Sequence, residues 1–319
     1  MKSSVLKLII PLTIVFLLLL GCAEDTNEIQ TMKDENAKNI QLKVYTSFYP
    51  YYDFAKKIGG GKIEIHTIVP PGAEPHSFEP SSKVIAQLEQ ADIFIYNGVR
   101  MEPWIDKVLN LLEDKDICLI DASESVELIS YNKKHNDRDN DKHCYGYDPH
   151  IWVDPVNAIH ISGKIKDAFA KADDDNRDIY EENFDDLRGK LQELDIAFKE
   201  ALEDVPERKI IVSHAAFGYL AKRYNIEQIA VAGVSPHAEP SPKRLAELVE
   251  IADDNKMDYI FLEALASVKT AEILAEEAGL EVLTLYIAEG LTEEQQNNGE
   301  DYITLMYKNV ETLRKALVK

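Results

Sequence analysis

Three histidines stand in distinctive segments of the chain, and together they could bind a metal ion. His76 lies in PPGAEPHSFEP, His150 in YDPHIWVDP and His214 in IIVSHAAFGYLAKRY. Imidazole nitrogen is a good ligand for zinc, copper, nickel or iron, whereas calcium and magnesium prefer oxygen. Three imidazoles with a fourth position that is open or filled by oxygen would make a zinc site. A single histidine is more often structural, however, and periodicity alone does not bring these three together.

The three histidines lie in loops at, or just past, the ends of predicted strands. Short β-branched and apolar runs recur at 42–48, 62–69, 92–98, 116–121, 208–214, 226–233, 258–264 and 281–287. Segments with helical spacing separate them, and this alternation is typical of parallel sheets with crossover helices. Ligands of open α/β sheets bind at the carboxyl edge of the strands, which is where these loops are expected.

A long stretch between the fourth and fifth predicted strands divides the chain. Residues 173–203 contain no proline, one glycine and apolar residues at helical spacing, which predicts one long amphipathic helix. We therefore predict an α/β protein of two similar lobes, each a four-stranded, mainly parallel sheet with flanking helices, bridged by one long rigid helix. The predicted ranges are 41–170 for the N-terminal lobe, 171–205 for the linking helix and 206–319 for the C-terminal lobe. The cleft between the lobes is the natural ligand site.

The N-terminus predicts a secretory signal peptide over 1–21 and a flexible tether over 22–40. Two lysines precede an apolar run at 8–20, which is short for a bilayer-spanning helix of about 20 residues. The sequence LLGC at 19–22 resembles a lipobox, in which Cys22 becomes the acylated first residue of the mature protein. The residues after Cys22 are polar. We expect an extracytoplasmic protein that a lipid at Cys22 anchors to the outer face of the cell membrane.

Charge and cysteine content limit the possible partners. The formal net charge is −22, so nucleic acid and anionic membrane surfaces are not expected partners. An oxidising compartment would allow Cys118 and Cys144 to pair. A buried Cys118 in a strand with an unpaired loop thiol at Cys144 is an equally good interpretation. Neither cysteine belongs to a Cys-x-x-Cys zinc pattern.

Four ordered motifs connect the chain to a known family. The segments VPPGAEPHSFEPSS, DPHIWVDP, VSHAAFGYLAKRY and SPHAEPSPKRLAELV resemble those of the metal-binding solute-binding proteins of zinc and manganese ABC importers. The similarity runs from about residue 42 to the C-terminus. It implies two α/β lobes bridged by one helix, with a metal ion in the cleft bound by His76, His150 and His214. It also implies an ABC transporter permease in the membrane as the partner, and we expect the binding protein to be a monomer.

The ligand set implied by the resemblance favours Zn(II) as the transported ion. Manganese-preferring members typically have glutamate at the position of His214, so Mn(II) is the alternative. The family usually adds an aspartate just after the last strand, where Tyr286 stands in VLTLYIAEG. A phenol with a pKa of about 10 is a poor zinc ligand, which leaves Glu263, Glu74 or water as candidates for the fourth ligand.

Several neighbouring residues have two possible interpretations. His135 and His143 lie in a polar loop at 130–147 and make a sparse version of the histidine-rich loop of zinc-importing relatives, or else they are simply solvated. Asp148 and Asp154 could orient an imidazole, or their Asp-Pro pairs could make turns. The remaining histidines are expected to be structural or on the surface: His66, His160 and His237.

Two other functions fit parts of the pattern. A zinc hydrolase also uses three histidines and an open position, but the chain has no His-Glu-x-x-His motif, nucleophile elbow or phosphate loop. A surface adhesin is a role assigned to some resembling proteins, and nothing in this sequence favours it. We therefore expect a binding protein that performs no catalysis.

Overall fold

Two parallel sheets make up the framework of the protein. The computed structural model describes residues 41–131, 146–206, 208–236, 240–263 and 269–318. Within these ranges the first sheet has the order β2-β1-β3-β4 and the second the order β6-β5-β7-β8. The strands of the first are β1 (Leu42–Thr46), β2 (Ile63–Thr67), β3 (Ile93–Tyr96) and β4 (Cys118–Asp121). Those of the second are β5 (Lys209–Val212), β6 (Glu227–Ala230), β7 (Tyr259–Leu262) and β8 (Glu281–Thr284).

Ten helices in the described part of the chain connect these strands and follow them. They are α1 (Tyr49–Gly59), α2 (Ser82–Leu88), α3 (Ile105–Leu112), α4 (Pro155–Ala172), α5 (Arg177–Leu202), α6 (Gly218–Tyr224), α7 (Pro242–Asp254), α8 (Lys269–Ala278), α9 (Glu293–Asn297) and α10 (Tyr302–Leu317). All strand pairs in the two sheets are parallel, so the carboxyl ends of each sheet's strands meet at one edge. The predicted two-lobe α/β architecture is confirmed.

Helix α1 shows how local sequence sets these bounds. Pro50 lies in its first turn, where the missing N–H of proline costs no helical hydrogen bond. Gly60 caps the other end with φ of 53°, a conformation that glycine adopts without a steric penalty, and its N–H donates to the Lys56 carbonyl. The chain can therefore turn directly into β2.

The linking helix α5 begins later than the sequence suggests. Residues 174–176 form a separate 3₁₀ turn, and α5 begins at Arg177 rather than at Asp173. The Asp173 carboxylate accepts hydrogen bonds from Asn176 Nδ2 at 2.8 Å and from the Tyr180 hydroxyl at 2.7 Å. Such local side-chain bonds favour a turn over a helix interior. The acidic run thus precedes the helix instead of opening it.

Helix α5 packs against both halves of the chain. It contacts α1 and α4, which belong with the first sheet, and α6 and α10, which belong with the second. Its buried face presents large side chains at helical spacing: Tyr180, Leu187, Leu191, Leu194, Phe198 and Leu202. These belong to a hydrophobic core that contains residues from both halves.

A short buried turn at 151–153 also joins the two halves. The Trp152 indole N–H donates to the Ile287 carbonyl at 2.6 Å, and the Tyr302 hydroxyl donates to the Trp152 carbonyl at 2.6 Å. Trp152 and Tyr302 are among the largest fully buried side chains. The segment that follows His150 is therefore fixed to the second half as well as the first.

Some predicted features lie outside the described residues. These are the signal peptide, Cys22, the tether, His135, His143, Cys144 and His237. Cys118 is exposed on the edge strand β4, so the interpretation of Cys118 as a buried strand residue is wrong. Within the described ranges, no helix combines the length and the apolar character that a bilayer crossing requires.

Candidate metal centre

The structure brings His76, His150 and His214 together at the carboxyl edges of the sheets. His76 lies in the loop after β2, His150 directly precedes the turn at 151–153, and His214 is two residues past β5. Their exposed fractions are 5 %, 0 % and 1 %. One nitrogen from each ring lies within 4.8 Å of the others. The hydrophobic periodicity of the sequence does not by itself predict this clustering of three buried imidazoles.

The spacing of these nitrogens matches tetrahedral zinc coordination. His150 Nε2 lies 3.2 Å from His76 Nε2 and 3.4 Å from His214 Nε2. Two nitrogens bound to Zn(II) at 2.0–2.1 Å with a tetrahedral angle lie about 3.3 Å apart. At these two separations the three nitrogens could bind one ion.

Asp148 fixes the orientation of His150. Its Oδ1 accepts the His150 backbone N–H at 3.0 Å and lies 2.8 Å from His150 Nδ1. An Nδ1–H donated to this carboxylate leaves the lone pair of Nε2 directed at the other two histidines. Burial lowers the pKa of His150, although Asp148 acts to raise it. The lowered pKa favours the neutral imidazole, which is the form that binds metal ions. Asp148 could orient an imidazole or simply make a turn, and these contacts are those of a residue that orients the His150 ring.

Glu263 supports His214 in a similar way from the end of β7. Its Oε1 lies 3.0 Å from His214 Nδ1, and the Ser213 hydroxyl donates to its Oε2. Burial would raise the pKa of Glu263, but the attraction of His214 and the Ser213 hydrogen bond lower it below its usual value. Glu263 faces the nitrogen of His214 that points away from His150 Nε2, so it is placed to orient the ring.

A further carboxylate, Glu289, lies near His76 and was not predicted from the sequence. A Glu289 oxygen, a Glu74 oxygen and a His76 nitrogen lie within 4.8 Å of one another. Glu289 is 5 % exposed, and its Oε2 has no hydrogen-bond partner in the described part of the chain. Burial raises the pKa of Glu289 well above its usual value, with repulsion from Glu74 and Glu263 adding to the effect. A bound cation would stabilise a buried carboxylate that has such an oxygen.

Tyr286 lies away from this cluster. Its backbone N–H donates to Asn309 Oδ1 at 2.7 Å, and Asn309 Nδ2 donates to its carbonyl at 2.6 Å. Its ring lies under the Lys308 ammonium at 5.7 Å from the centroid. Tyr286 therefore packs against α10, whereas Glu289, three residues later, lies near His76.

The residue before His150 is held by a buried polar network. Asn97 Nδ2 donates to the Pro149 carbonyl at 3.0 Å, and the Tyr51 hydroxyl donates to Asn97 Oδ1. The Asn97 N–H donates to Glu102 Oε1 at 2.8 Å. Burial raises the pKa of Glu102 to about 7. This network fixes the backbone at His150 from the side of β3.

The other candidates have structural positions. Asp154 caps α4 by accepting the Val156 N–H at 2.9 Å and also binds Arg223, whose Nε lies 2.8 Å from both carboxylate oxygens. His66 lies on β2, where its ring stacks on Tyr45 and contacts Glu64. His160 is exposed on α4.

Comparisons with known proteins identify the family of the chain. The family model described as ZnuA, "Zinc-uptake complex component A periplasmic", matches residues 44–316. The zinc-binding lipoprotein AdcA of Streptococcus pneumoniae is 37 % identical over 279 residues, which cover 86 % of this chain. The chain spans only 56 % of the length of that relative. The high-affinity zinc uptake system protein ZnuA of Bacillus subtilis is 34 % identical over 306 residues, 95 % of each chain.

Solved structures show the same fold. The crystal structure of the Zn(II)-bound ZnuA-like domain of Streptococcus pneumoniae AdcA has a TM-score of 0.76 and 36 % identity. The similarity covers 88 % of this chain and 100 % of that domain. The metal-dependent lipoprotein YcdH of Bacillus subtilis has a TM-score of 0.75 at 34 % identity, covering 87 % of this chain and all of that one. Together with the match over residues 44–316, these similarities show that the chain belongs to the ZnuA family of zinc-uptake components.

Proposed function

We propose that this protein is an extracytoplasmic solute-binding lipoprotein that captures Zn(II) and delivers it to an ABC importer. The observation that carries the proposal is the convergence of three buried imidazole nitrogens at separations that suit a single tetrahedral ion. Imidazole favours zinc over the hard cations calcium and magnesium. The names of the relatives, a zinc-binding lipoprotein and a zinc uptake system protein, support the same ion.

Each donor has a defined part in the proposed binding. His76, His150 and His214 supply nitrogen ligands, and Glu289 supplies the oxygen that completes the shell. Asp148 and Glu263 hold two of the rings so that little ordering remains to be done when the ion arrives. The bound ion would in turn offset the repulsion that the Glu289 carboxylate experiences in its buried position.

The site as proposed stores and releases an ion and performs no chemistry on a substrate. All three imidazoles are buried, and the carboxylates of Glu74 and Glu289 lie beside His76. A hydrolytic zinc site instead keeps one position open for water. Mn(II) is the alternative cargo, but three nitrogen donors favour Zn(II).

The remaining parts of the proposal concern the whole protein. A lipid on Cys22, after removal of residues 1–21, would hold the binding domain at the outer face of the membrane on the tether 22–40. The permease of an ABC importer would receive the ion from the monomeric protein. We further propose 41–170 and 206–319 as the two lobes and 171–205 as the segment that links them. These assignments are supported by the family and by the sequence.

Zinc titration of the protein purified from membranes tests the central claim. We expect one Zn(II) per chain, with His150→Ala weakening the affinity by at least about a hundredfold because a direct ligand is lost. His160→Ala is the matched control and should bind as the unaltered protein does, since His160 is exposed on α4. Absence of zinc binding at neutral pH would overturn the proposal.

Two further measurements address the fourth ligand and the choice of ion. Glu289→Gln removes the charge and keeps the shape, and we expect about a tenfold or greater loss of zinc affinity. An unchanged affinity would mean that water or another carboxylate completes the shell. Competition between Zn(II) and Mn(II) should favour Zn(II), and a preference for Mn(II) would contradict the assigned cargo.

A further inference from the structure

The buried histidines raise the question of how an ion reaches them. Their exposed fractions of 5 %, 0 % and 1 % leave almost no surface for direct contact with a hydrated ion. A cavity of about 640 Å³ lies between α1 with the end of β2 on one side and the segment from Glu289 to Asp301 on the other. Its rim includes the exposed residues Pro70 and Gln296. The cavity is therefore in contact with solvent at one end.

The inner wall of this cavity is part of the metal centre. Glu289 lines the cavity, is 95 % buried, and its Oε2 has no hydrogen-bond partner among the residues described. The same side chain belongs to the donor group with Glu74 and His76. His76 in turn belongs to the three-histidine group. The two donor groups thus share one residue, His76, and the group with Glu289 borders the cavity through that side chain.

Most charged groups around the cavity are paired with one another. Four carboxylates and two lysines line it. The Lys57 ammonium lies 2.5 Å from Asp53 and 3.0 Å from Asp301, and Glu300 lies 2.6 Å from the Lys308 ammonium. The Lys56 ammonium lies 5.5 Å above the ring of Tyr52. Among the described residues Glu289 is the lining carboxylate outside these ion pairs, and a bound cation would compensate for its burial.

We propose that this cavity is the access route by which a hydrated Zn(II) ion reaches the three histidines. The ion first binds Glu289, Glu74 and His76 at the inner end of the cavity. His76 then stays bound while His150 and His214 replace water and Glu74. Because one ligand is common to both groups, the ion is never without a protein ligand during the transfer. This inference rests on the proposed zinc-binding function.

A plug at the rim of the cavity tests the route. Gln296 is exposed on α9, so Gln296→Trp should fold normally and narrow the cavity mouth. Gln296→Ala widens it, and Pro70→Trp narrows it from the opposite wall. Gln192→Trp is the matched control, because Gln192 is exposed on α5 and does not line the cavity. Stopped-flow mixing of the full protein with Zn(II) gives the association rate constant, and transfer to a chelator dye gives the dissociation rate constant.

The expected result is a kinetic change without a change in affinity. Both tryptophan plugs should lower the association and dissociation rate constants together by about tenfold, because a route affects both directions equally. Gln296→Ala and Gln192→Trp should have rates equal to or above those of the unaltered protein. If the plugged proteins bind and release zinc at unaltered rates, the ion enters elsewhere and the inference is overturned. If the unaltered protein does not bind zinc, the proposed function itself fails, which is a separate outcome.

Discussion

Gly218 occupies a position where one added methyl group should weaken zinc binding without touching a ligand. A Cβ at Gly218 would lie 2.2 Å from Asp148 Oδ2, whereas ordinary contacts begin near 3.4 Å, so the carboxylate must move by about 1.2 Å. The Asp148 backbone cannot follow freely, because its N–H donates to the Ile129 carbonyl and its carbonyl accepts from the Tyr219 hydroxyl, both at 2.9 Å. In Gly218→Ala the movement therefore falls on the side chain that orients His150.

The size of the effect follows from the two hydrogen bonds that Asp148 makes to His150. Their present lengths are 2.8 and 3.0 Å, both to Oδ1, and the side-chain rotation that moves Oδ2 clear of the new methyl group also displaces Oδ1 and weakens both bonds. Loss of an outer partner of a metal-bound histidine costs about 10- to 100-fold in metal affinity. This corresponds to roughly 1.4–2.7 kcal/mol of binding free energy.

Calorimetric or chelator-competition titration of Gly218→Ala measures this loss directly. Asp148→Ala should reproduce it, because it removes the same hydrogen bonds without adding volume. Gly189→Ala is the matched control, since nothing lies within 4 Å of the added Cβ in the middle of α5. It should stabilise the fold by about 0.5–1 kcal/mol and leave zinc affinity unchanged. A Gly218→Ala protein that folds and binds zinc within twofold of the unaltered affinity would refute the reasoning.

Two predictions concern the stability of the fold. The pKa of Glu102 is raised to about 7, so the folded state holds its proton more tightly than the unfolded state, and stability falls as pH rises from about 4.5 to 7. Glu102→Gln should remove roughly 3 kcal/mol of this fall, measured by urea unfolding at pH 5 and pH 8, and an unchanged pH profile would contradict it. Arg223→Ala leaves the buried carboxylate of Asp154 without its cation, and we expect about 2 kcal/mol of destabilisation in the same assay. Lys222→Ala, which breaks an exposed ion pair one residue away, should cost less than about 0.5 kcal/mol, and equal losses for the two variants would argue against a special role for Arg223.

The eight strands were predictable because short β-branched runs between helical segments have few other interpretations. The order of the strands in each sheet was not, since neighbouring strands are chosen by packing of the whole chain. The start of α5 was missed because the side chain of Asp173 binds Asn176 and Tyr180, and periodicity does not register such local bonds.

The sequence pointed to the three histidines that cluster, but not to the carboxylate of Glu289 near His76. The motifs around His76, His150 and His214 singled out the residues that the structure brings together, although their convergence depends on the packing of the two halves. Glu289 was missed because the expected position lies directly after β8, at Tyr286. The chain turns between them at Ala288, whose φ of 53° is left-handed. Alanine is not a residue that signals this conformation in a sequence.

The hydrogen bonds of the turn at 151–153 affect how the three histidines would move if the two halves of the chain moved apart. The segment with His150 is tied to the second half through Trp152 and Tyr302, and His214 belongs to that half already. His76 is held by its own loop, where its N–H donates to Glu74 Oε1 at 2.7 Å. The Asn97 side chain binds the Pro149 carbonyl from the first half, so the segment with His150 is the part of the centre that both halves hold. A separation of the two halves would therefore act first on this segment and on the position of His150.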